Sequence, residues 1–245
     1  MLESNVEKIL ALIKPNHVVL DVGGWACPFN RANWILDCSP YETRGYYATI
    51  GLPKSQGPEK EYFTPDTWVQ RDVCAREPWP FKDRFFDFSI CSQTLEDTRD
   101  PLFICSELIR TSKRGYIEVP SRVAESCRGW ERDNLAGLSH HRWLIEMEGT
   151  HISFLQKFHM IHAAFDLSFP ASFLRRLTEL EKNSFLFWED SFTFEEIIIH
   201  GLENQAQNLR QFVAERHHYP SYRTWLDSAK RESRRVFNGL ARRLG

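Results

Sequence analysis

The stretch Val18-Val-Leu-Asp21-Val-Gly23-Gly24-Trp-Ala-Cys-Pro28-Phe-Asn-Arg-Ala-Asn-Trp34-Ile-Leu-Asp37 decides how the chain folds. A short apolar run ends on an acid and breaks into glycines. A second apolar run, Trp34 to Asp37, again ends on an acid. Short apolar runs bounded by turn residues are the mark of buried parallel strands. Trp25 to Asn33 leaves room for little more than one helical turn, so an irregular link is expected between the two strands in place of a full crossover helix.

Outward from this pair the same rhythm continues. Val6, Ile9, Leu10 and Ile13 have helical spacing, stopped at Lys14-Pro15-Asn16. Trp68 to Asp72 reads as a third strand, Phe85 to Cys91 as a fourth and Gly115 to Pro120 as a fifth, with a helix after Asp100-Pro101. The Pro-, Gly-, Lys- and Glu-rich run from Gly51 to Asp66 reads as a long loop and a candidate lid. Strands alternating with helices predict an α/β fold with a doubly wound, mostly parallel sheet.

Beyond Pro120 the rhythm breaks. Arg142 to Leu155 predicts a hairpin turning at Glu148-Gly149, Leu174 to Leu180 a helix, and Phe185–Trp188 with Phe192–Ile199 two antiparallel edge strands around Glu189-Asp-Ser191. The expected organisation is one domain over 1–245: a cofactor-binding half at 1–120, a substrate-side insertion at 121–184, late edge strands at 185–200, and a basic amphipathic helix at 222–245. That last helix would dock on its own domain or a second subunit, leaving room for a homodimer, with contact to an anionic membrane surface as the lesser alternative.

Composition narrows the function classes. The chain has 245 residues, 42% hydrophobic and 26% charged, enough for a sizeable core. A net charge of −2 gives no reason to expect a nucleic-acid partner. No apolar run reaches the ~20 residues that span a bilayer. Met1 to Lys8 lacks the basic start and apolar stretch of a signal peptide, so a cytoplasmic protein is expected. The 6 cysteines include no C-x-x-C pair and read as reduced core residues.

Ligands of open α/β sheets bind beyond the carboxyl ends of the strands. Those ends carry Asp21, Gly23 and Gly24, then Asp37, then Asp72, then Ser92-Gln-Thr-Leu-Glu96-Asp97. Glycines let backbone approach a ligand closely. An acid closing the second strand can accept both hydroxyls of a ribose, and Asp72 can accept from an adenine amino group. Together they describe an adenosine site with no phosphate clamp.

Val18 to Pro120 resembles the class I S-adenosylmethionine-dependent methyltransferases. Leu20 to Asp37 is similar to a bacterial subgroup with a shortened Gly-Gly…Pro-Phe…Arg-Ala loop. Asp72-Val-Cys, Pro78-Trp-Pro-Phe81, Phe86 to Asp97, Asp100-Pro, Glu107-Leu-Ile-Arg and Gly115 to Pro120 match the later motifs in order. The resemblance implies a Rossmann-like fold with S-adenosylmethionine as cofactor. Asp21, Gly23 and Gly24 would line its methionine and ribose parts, Asp37 would hold the ribose hydroxyls, Asp72 and Val73 would face adenine, and Ser92 and Gln93 would close the site. Two positions depart from the pattern: Ala26-Cys27-Pro28 stands where a third glycine is usual, and Leu95-Glu96-Asp97 replaces Leu-Glu-His.

Substrate chemistry is expected from the second half. In Gly129-Trp130 and His140-His141-Arg142-Trp143, one histidine can take a proton from an acceptor hydroxyl. Arg142 can hold an anionic group, Trp130 or Trp143 can stack on a flat ligand, and Glu96 can touch the acceptor. No ligand spacing marks a metal site, and a set of His140, His141 and Asp97 is a minor alternative. The expected activity is methyl transfer to a small polar acceptor, first of all the hydroxyl of a sugar or glycan precursor. A non-catalytic methyltransferase-like scaffold, suggested by the altered glycine loop, is the alternative.

Overall fold

The computed structural model describes residues 1–220; the helix expected at 222–245 lies outside them. In chain order the elements are α1 (Glu3–Leu12), β1 (Val19–Val22), β2 (Trp34–Asp37), β3 (Trp68–Gln70), β4 (Phe88–Ser92), α2 (Pro101–Thr111), β5 (Arg114–Pro120), α3 (Arg122–Glu125), β6 (Trp143–Glu148), β7 (His151–Gln156), α4 (Ala171–Leu174), α5 (Glu179–Lys182), β8 (Asn183–Glu189), β9 (Thr193–Ile197) and α6 (Leu202–Ala214). The described residues divide into two compact units: 1–124, 140–156 and 177–197 form the first, and 125–139, 157–176 and 198–220 the second. The run 121–184 is thus shared between both.

The first unit holds a six-stranded sheet in the order β3-β2-β1-β4-β5-β8, parallel throughout except for β8 against β5. Successive strand residues point to opposite faces and build two cores. Val19, Ile35, Phe88, Ile90 and Tyr116 pack under Ile9 and Ile13, at the end of α1. Leu20, Val22, Leu36, Cys91, Ile117 and Val119 pack on the other face against Ile104, Cys105 and Leu108 of α2. The doubly wound sheet expected from the alternation is therefore present. α2 starts where Asp100 accepts from the Phe103 N–H at 3.0 Å with Pro101 in the first turn, a cap and a pre-set backbone angle in adjacent residues.

No helix forms between β1 and β2, as the spacing requires. The link is fixed by the long loop after it: Gln56 N–H donates to Pro28 O at 2.9 Å and Asn30 N–H to Gln56 O at 2.8 Å. Buried Asn30 also donates through Nδ2 to Ser55 Oγ and Pro58 O, so loop and link fold as one piece.

Two expectations are corrected. The late strands do not form a hairpin: β8 is the antiparallel edge of the large sheet, whereas β9 runs parallel to β7 in a separate sheet of order β6-β7-β9. The chain leaves the large sheet at Asp190, whose φ of 61° is left-handed. The single helix expected from Leu174 to Leu180 is two short turns. Thr178 stops it, accepting from the Glu181 N–H while Glu181 accepts from the Thr178 N–H, a capping box that starts α5 afresh.

The second unit carries α4 and α6. It encloses a buried ion pair, Lys157 Nζ to Glu125 Oε2 at 2.8 Å, with Leu138 O as a further acceptor at 2.7 Å. A Cβ on Gly137, built at φ 61°, would lie 2.3 Å from that Glu125 oxygen. The pair therefore requires glycine there.

Candidate functional site

The order of the large sheet reverses direction between β1 and β4, because the chain builds β2 and β3 outward on one side before crossing to β4. At such a switch point the strand ends part and leave a crevice. A cleft of about 490 Å³ lies there, bordered by Gly23, Trp25, Asp37, Tyr47, Asp72, Val73, Gln93, Asp97 and His140. A smaller one of about 230 Å³ adjoins it along Asp21, Gly24, Tyr47, Gln56, Ser92 and Gln93. All these residues belong to the first unit.

Asp21 is 4% exposed and accepts the Phe29 N–H at 2.9 Å. Burial pushes its carboxyl up to about 7; the Phe29 N–H opposes the shift and the neighbouring charge of Asp37 adds to it. A Cβ on Gly24 would stand 2.3 Å from Asp21 Oδ2, so any side chain there would displace the carboxylate that the Phe29 N–H holds. Gly23 has φ 77° and faces Thr94, whose Oγ1 would be 2.2 Å from a Cβ there. The glycine pair thus brings bare backbone to the cleft wall.

Asp37 closes β2. One of its oxygens accepts from Trp25 N–H at 3.0 Å and the other from Ser39 N–H at 2.8 Å. Burial raises its pKa while these donors pull the other way. A carboxylate offers about four lone-pair sites, so acceptor capacity remains on both oxygens beside the cleft. Asp72 is exposed and more fully engaged: the Cys74 N–H donates to it at 2.8 Å and Arg99 Nη2 at 2.9 Å. These hold its carboxyl below the usual range, the Cys74 donor contributing most.

At the end of β4, Gln93 is held at φ 54° and donates through Nε2 to Asn183 Oδ1 at 2.9 Å. A non-glycine residue in the left-handed region costs of order 1–3 kcal/mol and persists where surrounding contacts enforce it. Ser92 Oγ is buried and has no hydrogen-bond partner among the described residues, although Ser92 lines the smaller cleft. Buried hydroxyls are nearly always satisfied, so this one is left for a ligand or water.

His141 is buried and His140 exposed, and both ring Nε2 atoms approach Asp97, at 3.8 Å each. Arg142 is exposed. Trp143 packs edge-on against Phe154 and donates to Thr98 O at 2.9 Å, which places it in the core wall rather than on the cleft. Glu96 is 1% exposed beneath the rim, its carbonyl accepting the Arg142 N–H at 2.7 Å. Trp130 is half-buried in the second unit.

The sequence reading missed Tyr47, which borders both clefts, and Tyr46, stacked on Trp25 with ring centroids 5.0 Å apart. Burial raises the Tyr47 pKa, with the charges of Glu96 and Asp97 adding to it. The available signal was the glycine bracket: the short 3-10 turn Tyr46–Ile50 lies between Gly45 at φ 75° and Gly51 at φ 80°.

No family model and no curated protein matches this chain. Among solved structures it is similar to a putative methyltransferase from Bacillus halodurans, at 20% identity and TM-score 0.31, over 48% of this chain and 50% of that one. A SAM-dependent methyltransferase from Aquifex aeolicus gives 21% identity and TM-score 0.30, over 48% and 65%. The N-terminal domain of EvdMO1, in the presence of SAH and D-fucose, gives 14% identity and TM-score 0.31, over 76% and 66%. The matched part thus spans about half the length of the first of these proteins. No described helix is long and apolar enough to cross a membrane.

Proposed function

We propose that the chain is a methyltransferase that uses S-adenosylmethionine to methylate a hydroxyl of a small polar acceptor. The observation that carries this reading is Asp37, a buried carboxylate anchored by one backbone N–H on each oxygen at the end of β2, with lone pairs left for a vicinal diol. The residues around it fit an adenosyl sulfonium. The Gly23-Gly24 cradle would be filled by any Cβ, and Ser92 offers an unsatisfied hydroxyl. Asp72 and Val73 border the cleft where the base would lie. No helix N-terminus follows the glycines to receive a pyrophosphate, which disfavours a dinucleotide.

S-adenosylmethionine supplies an already activated methyl group when bound. The chain must then hold the acceptor in line and exclude water, an effect of proximity that reaches ~7–11 kcal/mol. We assign the acceptor's proton to His140, which borders the cleft, or to His141 buried next to it, both beside Asp97; such a base adds roughly two to four powers of ten. The polar rim and the Trp25–Tyr46 stack suit a sugar or sugar-linked acceptor.

Calorimetric titration tests the reading. S-adenosylmethionine and its demethylated product should bind in the micromolar range, and Asp37→Ala should weaken both. Absence of binding by the full chain would instead leave a methyltransferase-like scaffold.

A further inference from the structure

We infer that Asp97, His140 and His141 form a binding site for one divalent transition-metal ion at the rim of the cleft. The three offer ligand atoms that all lie within 4.8 Å of one another. The two imidazoles are set edge to face, ring centroids 4.5 Å apart, and each presents Nε2 to a different oxygen of the same carboxylate.

At 3.8 Å neither contact is a hydrogen bond. The three groups thus converge within reach of one shared atom, with buried His141 held by a further interaction of its own. With metal–ligand bonds of about 2.0–2.2 Å, a tetrahedral ion holds its ligands about 3.4 Å apart. The His–Asp contacts need to close by only a few tenths of an ångström. The widest separation closes by rotating side chains that are free to turn: His140 is 60% and Asp97 42% exposed, while His141, at 5%, is the fixed member.

The donor set chooses the ion. Two neutral imidazoles and one carboxylate suit Zn²⁺, Co²⁺, Ni²⁺ or Fe²⁺ and offer little to Mg²⁺ or Ca²⁺, which want oxygen. Three protein ligands leave at least one position open, the pattern of a working site rather than a structural one. The nearby cation Arg99 does not compete, because its guanidinium is engaged by Asp72 and Cys74 O at 2.9 and 2.8 Å.

Asp97 and His140 border the same cleft as Asp37 and Gln93. The open position would take an oxygen ligand, and a hydroxyl bound there is oriented and made more acidic. With an ion in place the ring nitrogens would be ligands, and the base role proposed above for histidine would fall to solvent. Only this use of the ion rests on the methyl-transfer reading; the site itself does not.

The test is a titration of the metal-stripped full chain with Co²⁺, followed by its visible d–d absorption. One equivalent should bind with a nitrogen and oxygen spectrum free of strong thiolate charge-transfer bands. His140→Ala and Asp97→Asn, both exposed and checked by thermal melting, should each weaken binding at least tenfold. No stoichiometric binding, thiolate bands placing the ion on cysteine, or unchanged affinity in both variants would overturn the site. Parallel calorimetry with S-adenosylmethionine separates the two readings. Cofactor binding without Co²⁺ removes only the metal site, and Co²⁺ binding without the cofactor removes only the methyltransferase.

Discussion

The two walls of the cleft are built by different means. On the β1–β2 side, carboxylates are gripped by backbone: Phe29 N–H holds Asp21, and Trp25 and Ser39 N–H hold Asp37. No rotamer can move without breaking a main-chain contact. On the opposite rim, Asp97 and His140 are exposed side chains on loops, touching each other beyond hydrogen-bond range. One wall is fixed by its own backbone before any ligand binds. The other is left to be ordered by whatever arrives, and changes to it should spare the first.

That contrast can be broken from either side. The largest effect is expected at the rim: His140→Gln should cut methyl transfer to a panel of free and nucleotide-linked hexoses by about 10²–10⁴. Calorimetric affinity for S-adenosylmethionine should change less than threefold. Full activity in both His140 and His141 variants would remove the base role. Asp37→Ala attacks the rigid wall. It loses two charge-assisted acceptor contacts of about 1.5–3 kcal/mol each before compensation, so cofactor affinity should fall by one to two powers of ten, and an unchanged constant would remove the ribose assignment.

A smaller, graded effect belongs to Asp21. Its folded pKa is about 7 against an ordinary 3.8, so between those values the folded chain keeps a proton that the unfolded chain has lost. Stability conferred by this group therefore falls as pH rises from about 4 through 7, and Asp21→Asn should melt higher, relative to the native chain, at pH 8 than at pH 5. A cationic ligand favours the ionised acid. Affinity for S-adenosylmethionine should rise with pH through about 7, and Asp21→Asn should flatten that slope. The smallest change is Trp143→Phe, which removes the bond to Thr98 O and should cost about 1 kcal/mol of stability with no change in cofactor affinity.

Much of the rigid wall was legible because it is local. A buried parallel strand, an acid at its end and glycines after it are all written within Val18 to Asp37. The shortness of the link, Trp25 to Asn33, by itself leaves no room for a crossover helix. The rest depends on partners far along the chain. Nothing in Thr193 to Ile197 says that it pairs with His151 to Leu155, since β pattern encodes a face and not a neighbour. Likewise His140 and Asp97 meet only because the Arg142 and Trp143 N–H groups bond to the carbonyl of Glu96, drawing the segment before β6 to the end of β4. Trp143 read as a ligand platform because its ring is large; its N–H is satisfied within the wall. Thr178 stopped a helix by a capping box visible in sequence as Thr178…Glu181.

The helix missing after Gly24 has a consequence for exchange of cofactor and product. An ordinary nucleotide loop ends on a helix whose positive terminus welcomes anions. Here the same space is walled by two buried acids, Asp21 and Asp37, which favour a cationic ligand once they ionise. Under the proposed function, S-adenosylmethionine would enter carrying a sulfonium charge, and its demethylated product is a neutral thioether. Turnover itself would then cancel the attraction that held the molecule in place, and the pocket would expel spent cofactor on charge alone.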